Sequence, residues 1–343
     1  MLPWVVFSGC FLVPSQESAA ALAAKGEAEL LAGNLPAAAD TYGRGVTAFP
    51  LNVDLATGGA FTALLQGDAS RADQILAAAE AQAGDRLPEI QLRRALVALQ
   101  GDHLDDVKRF ASRSDLPMAR LLVAEVALAD GDRPEADRVL RALTQSDVGA
   151  AIPPALAQTA KQYLDLLEDP DPLVAGLSEV QALWALGRRD VAVRAAEEIV
   201  KALPEAEGGD ARLLLWAGRA ASIREVEVAR SLLDAMVVTP PEQQWRKLAT
   251  QALVVCAEGK ATECLAEFDV LTALPRVPID GLADARATAA MLIAKEDPAT
   301  ATALAGPYLT DASARALHAA GADQAAWEAS RSDLFAEFLR PGG

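Results

Sequence analysis

Apolar residues recur three and four positions apart in short runs along this chain, and glycine, proline or aspartate separates one run from the next. That spacing places the apolar side chains on one face of an α-helix, whereas a half-buried strand would alternate at every second residue. The first four runs predict helices over 18–32, 37–47, 53–66 and 70–83. No convincing alternating run lies between turn residues, so the pattern predicts an all-α protein.

The stretch Gly33–Pro50 contains the clearest version of a unit that recurs along the chain. Gly33 is suited to a left-handed turn that ends one helix. Ala38, Tyr42 and Gly45 then place a large side chain between two small ones in the following helix. Related sets, regular at first and less regular later, begin at Gly67, Gly101, Gly131, Gly187, Gly259 and Gly321.

A spacing of 34 residues separates Gly33 from Gly67 and Gly67 from Gly101. A helix–turn–helix unit of this length with small, aromatic and proline markers resembles the tetratricopeptide repeat (TPR) family. The resemblance is best over residues 19–84, although Glu29 stands where the family usually has an aromatic residue. It implies an α-solenoid of about eight to nine antiparallel helical hairpins wound as a right-handed superhelix. It also implies that first helices line a concave groove for a protein or peptide partner.

The repeat period breaks in the middle of the chain. Gly131 and Gly187 are 56 residues apart, and the extra material contains proline-rich breakers and one additional helix, predicted over 155–168. This stretch is either a joint between two arrays or an insertion in one continuous array. The predicted segments are an apolar N-terminus (1–14), a first TPR-like array (15–144), an irregular joint (145–172), a second array (173–339, whose last hairpin is 311–339) and a disordered tail (340–343).

The N-terminal residues MLPWVVFSGCFLV are apolar but too few to span a bilayer. Phe7-Ser8-Gly9-Cys10 resembles the processing box of bacterial lipoproteins. The resemblance implies a signal peptide that is cleaved before Cys10, lipidation of Cys10, and a location in the periplasm or at the outer membrane. The alternative is an apolar segment that caps the first hairpin of a cytoplasmic protein.

Charge limits the range of partners. The chain has a formal net charge of −17 and a pI of about 4.6. Nucleic-acid binding requires a basic surface, so we expect no nucleic-acid partner. Attraction of the whole surface to anionic lipid is disfavoured for the same reason, which leaves a lipid anchor at Cys10 as the expected membrane contact. The acidity itself indicates solubility.

The sequence contains no pattern typical of a catalytic, metal or cofactor site. His103 and His318 lie far apart, and no H-E-x-x-H, paired C-x-x-C, phosphate loop or G-x-S-x-G motif occurs. Acidic clusters flank the loops but do not have the ligand spacing of a calcium-binding loop. We therefore expect a non-enzymatic scaffold that mediates protein–protein interaction, without cofactor or metal. One alternative is a helical-repeat enzyme or enzyme-supporting domain of the α/α hydrolase type, which the five scattered tryptophans support only weakly. The other alternative is a cytoplasmic TPR adaptor.

Several cations fall in predicted first helices and are candidates for lining the groove. A local excess of positive charge would suit an acidic peptide. The alternative, which the sequence favours, is that these cations alternate with acids on exposed helix faces, as Arg120 does with Glu125. The candidate residues are Arg93, Arg94, Arg120, Arg212, Arg219, Arg246 and Lys247.

Cys256 and Cys264 lie on either side of the turn at Gly259. A hairpin could bring them together as a disulfide in an oxidising compartment. Sequence cannot establish the Cα separation of less than about 7 Å that a disulfide requires. We therefore expect two buried free cysteines, since cysteine is among the most buried residue types.

Overall fold

The computed structural model describes residues 18–32, 34–145, 152–203, 209–236, 244–274 and 277–306. All regular elements in these ranges are helical, which confirms the all-α prediction. None of the described helices is long and apolar enough to cross a membrane. Besides a short 3-10 turn at Gly84–Arg86, the α-helices are α1 (Ala19–Leu31), α2 (Leu35–Ala48), α3 (Val53–Leu65), α4 (Ala69–Glu80), α5 (Leu87–Gln100), α6 (Leu104–Ala111), α7 (Pro117–Ala129), α8 (Arg133–Thr144), α9 (Pro154–Leu167), α10 (Pro172–Ala185), α11 (Arg189–Ala202), α12 (Gly209–Ser222), α13 (Val226–Asp234), α14 (Gln244–Ala257), α15 (Ala261–Ala273), α16 (Ile279–Ile293) and α17 (Pro298–Ala305).

The helices pack as sequential pairs. In the described ranges these pairs are α1–α2, α3–α4, α5–α6, α7–α8, α10–α11, α12–α13, α14–α15 and α16–α17. First helices of neighbouring pairs also touch, as α1 touches α3, α7 touches α10, and α14 touches both α12 and α16. Buried side chains form three clusters, and each cluster shares a helix, α5 or α10, with the next. This arrangement is consistent with a helical repeat, in which each unit buries its apolar face on its neighbours.

Helix α9 is the additional helix that the break in period predicted. It spans Pro154–Leu167, within a residue of the predicted 155–168, and packs on α7, α8 and α10. Because α7 and α10 also touch each other directly, α9 lies beside the contact between two first helices. The last predicted hairpin (311–339), the 340–343 tail, the N-terminal segment and Gly33 lie outside the described residues.

Four of the seven turns that the structure fully describes within the pairs use a glycine in the left-handed region, as the repeating glycines predicted. Gly67 and Gly131, for example, have φ values of +79° and +76°, where a residue without a Cβ avoids strain. Gly101 differs, because its φ is −90° and the next residue, Asp102, takes the left-handed conformation at +55°. Arg224 does the same at +65° in the turn between α12 and α13.

Tyr42 anchors the contact between the first two pairs. Its side chain is only 3% exposed, and its ring lies against two glycines of neighbouring helices, Gly26 in α1 and Gly58 in α3. A Cβ built on Gly58 would come within 2.1 Å of the ring, and one on Gly26 within 2.6 Å. The large residue predicted at position 42 therefore packs against small residues that belong to other helices.

Cys256 and Cys264 form a disulfide, so the expectation of two free cysteines was wrong. Their Cα atoms are 5.0 Å apart, within the range that a disulfide requires. Both residues are fully buried, as expected. The bond joins the end of α14 to the first turns of α15 because the intervening turn folds the second helix back onto the first.

Candidate functional site

A concave depression lies on the first helices of three successive pairs, α12, α14 and α16. Its volume is about 410 Å³. Much of the lining is apolar and comes from α12 and α14, including Leu214, Leu253 and Trp245. Leu215 also lines it and is 46% exposed. A partly exposed apolar surface within a concavity is a feature of binding sites.

Two of the predicted groove cations, Arg219 and Arg246, line this depression. The Arg219 guanidinium lies over Trp216 and Trp184, with its Cζ atom 4.4 Å and 4.9 Å from the two ring centroids. Arg246 lies 5.5 Å from the centroid of Trp245. Such contacts with aromatic faces are worth about 0.5–2 kcal/mol, depending on solvent exposure. They position each guanidinium beside the apolar lining.

Neither arginine forms an ion pair within the described part of the chain. Asp284 also lines the depression, but no salt bridge joins it to Arg219 or Arg246. Burial lowers the pKa of Arg219, and its Nη1 atom is buried without a hydrogen-bond partner among the described residues. The depression thus combines an apolar lining and Asp284 with two cations that form no ion pair with a described carboxylate.

Arg93 and Arg94 of α5 are placed differently, because carboxylates already bind them. Arg94 donates from Nε to Asp73 at 2.7 Å and from Nη1 to Glu80 at 2.5 Å. Its guanidinium also lies 4.1 Å from the centroid of Phe110. Arg93 is 4% exposed, and its Nη1 atom is 3.2 Å from a carboxylate oxygen of Glu89. Arg94 thus links α5 to α4, whereas Arg93 pairs with Glu89 within α5, and both charges are compensated.

The remaining predicted positions do not converge on the same depression. Arg120 lines a separate concavity between α6, α7 and α8. Arg212 and Lys247 are half-buried and are not among the residues that line the α12–α14–α16 depression. The predicted lipidation site, Cys10, lies outside the described residues.

Helix α7 contains a buried polar group that the sequence interpretation missed. Glu125 of α7, expected on an exposed face, is only 7% exposed, because five other helices pack on α7 and bury most of its residues. The Tyr163 hydroxyl of α9 donates a hydrogen bond to Glu125 Oε1 at 3.1 Å. Burial raises the pKa of Glu125 to about 7, although the hydrogen bond acts to lower it. Burial and the Glu125 charge together raise the pKa of Tyr163.

Comparisons with known proteins add no assignment to this geometry. No protein-family model matches the chain, and none of the curated proteins matches it. The resemblance to the TPR family therefore depends on the residue spacing and the helix pairs. Any functional inference depends on the surfaces described above.

The missed residues had a weak signal in the sequence. Glu125 is the only charged residue in the run LLVAEVALA, and a lone acid in a helix that is apolar all round is a candidate for burial. Trp184 and Trp216 meet edge to face, with ring centroids 6.1 Å apart, although they belong to α10 and α12. No spacing rule relates positions in different pairs, so their convergence was not predictable.

Neither the depression nor the buried carboxylate has the elements of a metal site. Among the described residues, no group of three or more histidine, cysteine, aspartate or glutamate side chains could hold a metal ion. His103 is exposed and stands at the N-terminus of α6. The depression presents apolar side chains and two arginines.

Proposed function

We propose that this protein is a non-enzymatic scaffold of the TPR type, an α-solenoid whose first helices form a groove for a protein segment. The 34-residue spacing, the sequential helix pairs and the contacts between successive first helices support a continuous right-handed superhelix. In such an array the face of the first helices is concave, and the α12–α14–α16 depression belongs to it.

The observation that carries the proposal is the pair of uncompensated arginines at this depression. The whole chain has a net charge of −17, yet Arg219 and Arg246 have no carboxylate partner in the described residues and lie beside Trp245 and the exposed Leu215. An extended peptide with apolar and acidic side chains complements both properties of the surface. Binding would place its apolar side chains on the lining and its carboxylates at the arginines.

We further propose that the protein works in an oxidising compartment, in keeping with export to the bacterial envelope. The disulfide between Cys256 and Cys264 supports this, because disulfides persist mainly outside the cytosol. Lipidation at Cys10 would provide the membrane anchor. Intact-mass measurement of protein from the native membrane tests the anchor, since cleavage before Cys10 and an added acyl mass are expected, whereas an unmodified full-length chain would exclude it.

Selection from a displayed peptide library tests the groove. We expect the wild-type protein to enrich peptides that combine acidic with aromatic or aliphatic residues. Arg246→Glu should weaken binding of the selected peptides by on the order of tenfold or more, because it replaces attraction by repulsion beside the apolar lining. Fluorescence anisotropy with labelled peptides measures the loss.

Lys295→Glu is the matched control, because it makes the same charge change at an exposed position beyond the end of α16. It should leave peptide affinity close to that of the wild type. If the two variants bind equally well, or if the wild type enriches no peptide class, the groove does not have the proposed function.

A further inference from the structure

Glu125 is a carboxylate in an unusual position. It lies in the middle of α7, is 7% exposed, and has no cation partner among the described residues. An ionised carboxylate without a compensating charge is costly to bury, whereas a protonated carboxyl that is hydrogen-bonded is not. The protonation state of Glu125 therefore matters for the packing around it.

Helices α5, α6, α8, α9 and α10 pack on α7, and Tyr163 is the one polar group from them that acts on the Glu125 carboxylate. The other charged groups of these five helices form ion pairs with described side chains or are exposed. The pairs are Arg93 with Glu89, Arg94 with Asp73 and Glu80, Lys108 with Asp130, Arg109 with Asp106, Arg133 with Glu179, Arg138 with Glu135, and Arg141 with Asp137 and Glu168; Asp105, Lys161 and Asp165 are exposed.

Tyr163 connects this carboxyl to α9, the helix that the regular pairs do not include. Its side chain is 4% exposed, so its hydroxyl bonds to Glu125 in a region with little access to water. Within the described residues this is the one buried side-chain hydrogen bond between α9 and α7. Arg219 lies near enough to Tyr163 for each of the two groups to influence the pKa of the other.

We propose that the packing of α9 over Glu125 of α7 is a proton-operated latch, closed while Glu125 is protonated and loosened when it is ionised, because burial of the charge costs more than the Tyr163 hydrogen bond returns. On ionisation Glu125 releases its proton to solvent, and movement of α9 would give water more access to the charge that remains. The charges of Arg219 and of the paired side chains do not take over this role, since none of them contacts the carboxylate.

The pH range of the latch follows from the two states of Glu125. In the packed state its pKa is about 7, whereas its ordinary value is 4.5. The packed state therefore binds the proton more tightly, and the latch is closed below about pH 4.5. The equilibrium for opening rises as pH increases from about 4.5 to 7, and it stays high above that. A change from pH 5 to pH 8 should increase opening by on the order of fiftyfold.

Hydrogen exchange followed by mass spectrometry tests the latch in the full chain. Exchange times at pH 5 and pH 8 are scaled to the intrinsic chemical rates, and the protection of peptides that cover α9 (Pro154–Leu167) is compared with that of peptides from α14. We expect α9 to lose protection at pH 8 by at least on the order of tenfold while α14 changes little. Unchanged protection of α9 in the wild type would overturn the proposal.

Two variants separate the latch from a general effect of pH. Glu125→Gln keeps the size and hydrogen bonding of the side chain without a titratable group, so α9 should be equally protected at both pH values. Glu135→Gln is the matched control, because it changes a partly exposed glutamate that is paired with Arg138, and it should keep the wild-type pH dependence. If Glu125→Gln retained that dependence, the latch would not reside at Glu125.

Tyr163→Phe provides a test that does not depend on the folding of Glu125→Gln. Removal of the hydroxyl takes away the hydrogen bond that favours the ionised carboxylate, so the midpoint of the change in α9 protection should move to higher pH. A midpoint that stays in place, or moves to lower pH, would contradict the assigned role of Tyr163. The outcome is independent of peptide binding, so the latch and the groove can fail separately.

Discussion

Replacement of Gly58 by alanine tests how Tyr42 holds the first two helix pairs together. Two effects of opposite sign compete. Alanine is favoured over glycine within a helix by about 1 kcal/mol. Against this, the new Cβ would lie 2.1 Å from the Tyr42 ring, which is 3% exposed, and overpacking of a buried site costs about 1–3 kcal/mol or more.

Overpacking should win, because the ring has little room to retreat. Relief of the contact requires the ring to move by more than about an ångström, and Gly26 packs against the same ring. We therefore expect Gly58→Ala to reduce the free energy of unfolding by up to about 2 kcal/mol, the upper end of the overpacking cost less the helix-propensity gain. Urea denaturation followed by circular dichroism at 222 nm measures the change.

Gly43→Ala calibrates the helix-propensity gain without the clash. Gly43 lies in α2, and the nearest atom to a new Cβ there, the end of the Arg71 side chain, is 3.9 Å away. This variant should gain up to about 1 kcal/mol. If Gly58→Ala is as stable as Gly43→Ala, the packing argument is refuted. In a Tyr42→Leu background, the Gly58→Ala change should cost much less stability, because the ring is gone.

Three further outcomes are expected. The raised pKa of Glu125, about 7 against 4.5, corresponds to about 3 kcal/mol of stability that is present below pH 4.5 and lost as pH rises to 7. Glu125→Gln should therefore be more stable than the wild type at pH 8 but not at pH 4.5, and urea denaturation at both pH values measures the difference. Arg94→Met should lower the free energy of unfolding by about 2–3 kcal/mol, because it leaves Asp73 and Glu80 without their shared partner. Thermal denaturation measures the loss of stability, and an unchanged melting temperature would show that these ion pairs do not stabilise the fold. Reduction of the disulfide between Cys256 and Cys264, which closes a short loop, should lower the free energy of unfolding by about 2–3 kcal/mol. Thiol titration of the unfolded, unreduced protein tests the bond, because free thiols at these two cysteines would show that it does not form.

Sequence reasoning succeeded where the determinant of structure is local. Helix α3 begins at the predicted Val53 because Asn52 caps it, and its side chain accepts a hydrogen bond from the backbone N–H of Leu55. The turn at Gly67 has the left-handed conformation that glycine tolerates best. Each of these features involves residues only a few positions apart, so the pattern of the chain contains the information.

Sequence reasoning failed where the determinant lies in another helix. Glu125 appeared to be an exposed acid because the apolar run around it is only a weak signal that five helices pack on α7. Cys256 and Cys264 appeared to be separate because the angle of the turn between α14 and α15, and not their spacing, brings their Cα atoms to 5.0 Å. The turn at Gly101 shows the same limit on a smaller scale, since Asp102 takes the left-handed conformation there.

The placement of the arginines locates the proposed binding capacity in the second half of the chain. In the first half, Arg86 and Arg94 are each held by two carboxylates from their surroundings. These arginines have few donors left for a ligand, and extracting them would break contacts between helices. Arg219 and Arg246 are held by aromatic faces, which orient a guanidinium but do not neutralise it. A carboxylate that reached them would gain an ion pair without breaking one, so an acidic segment should bind across α12, α14 and α16 in preference to α3 and α5.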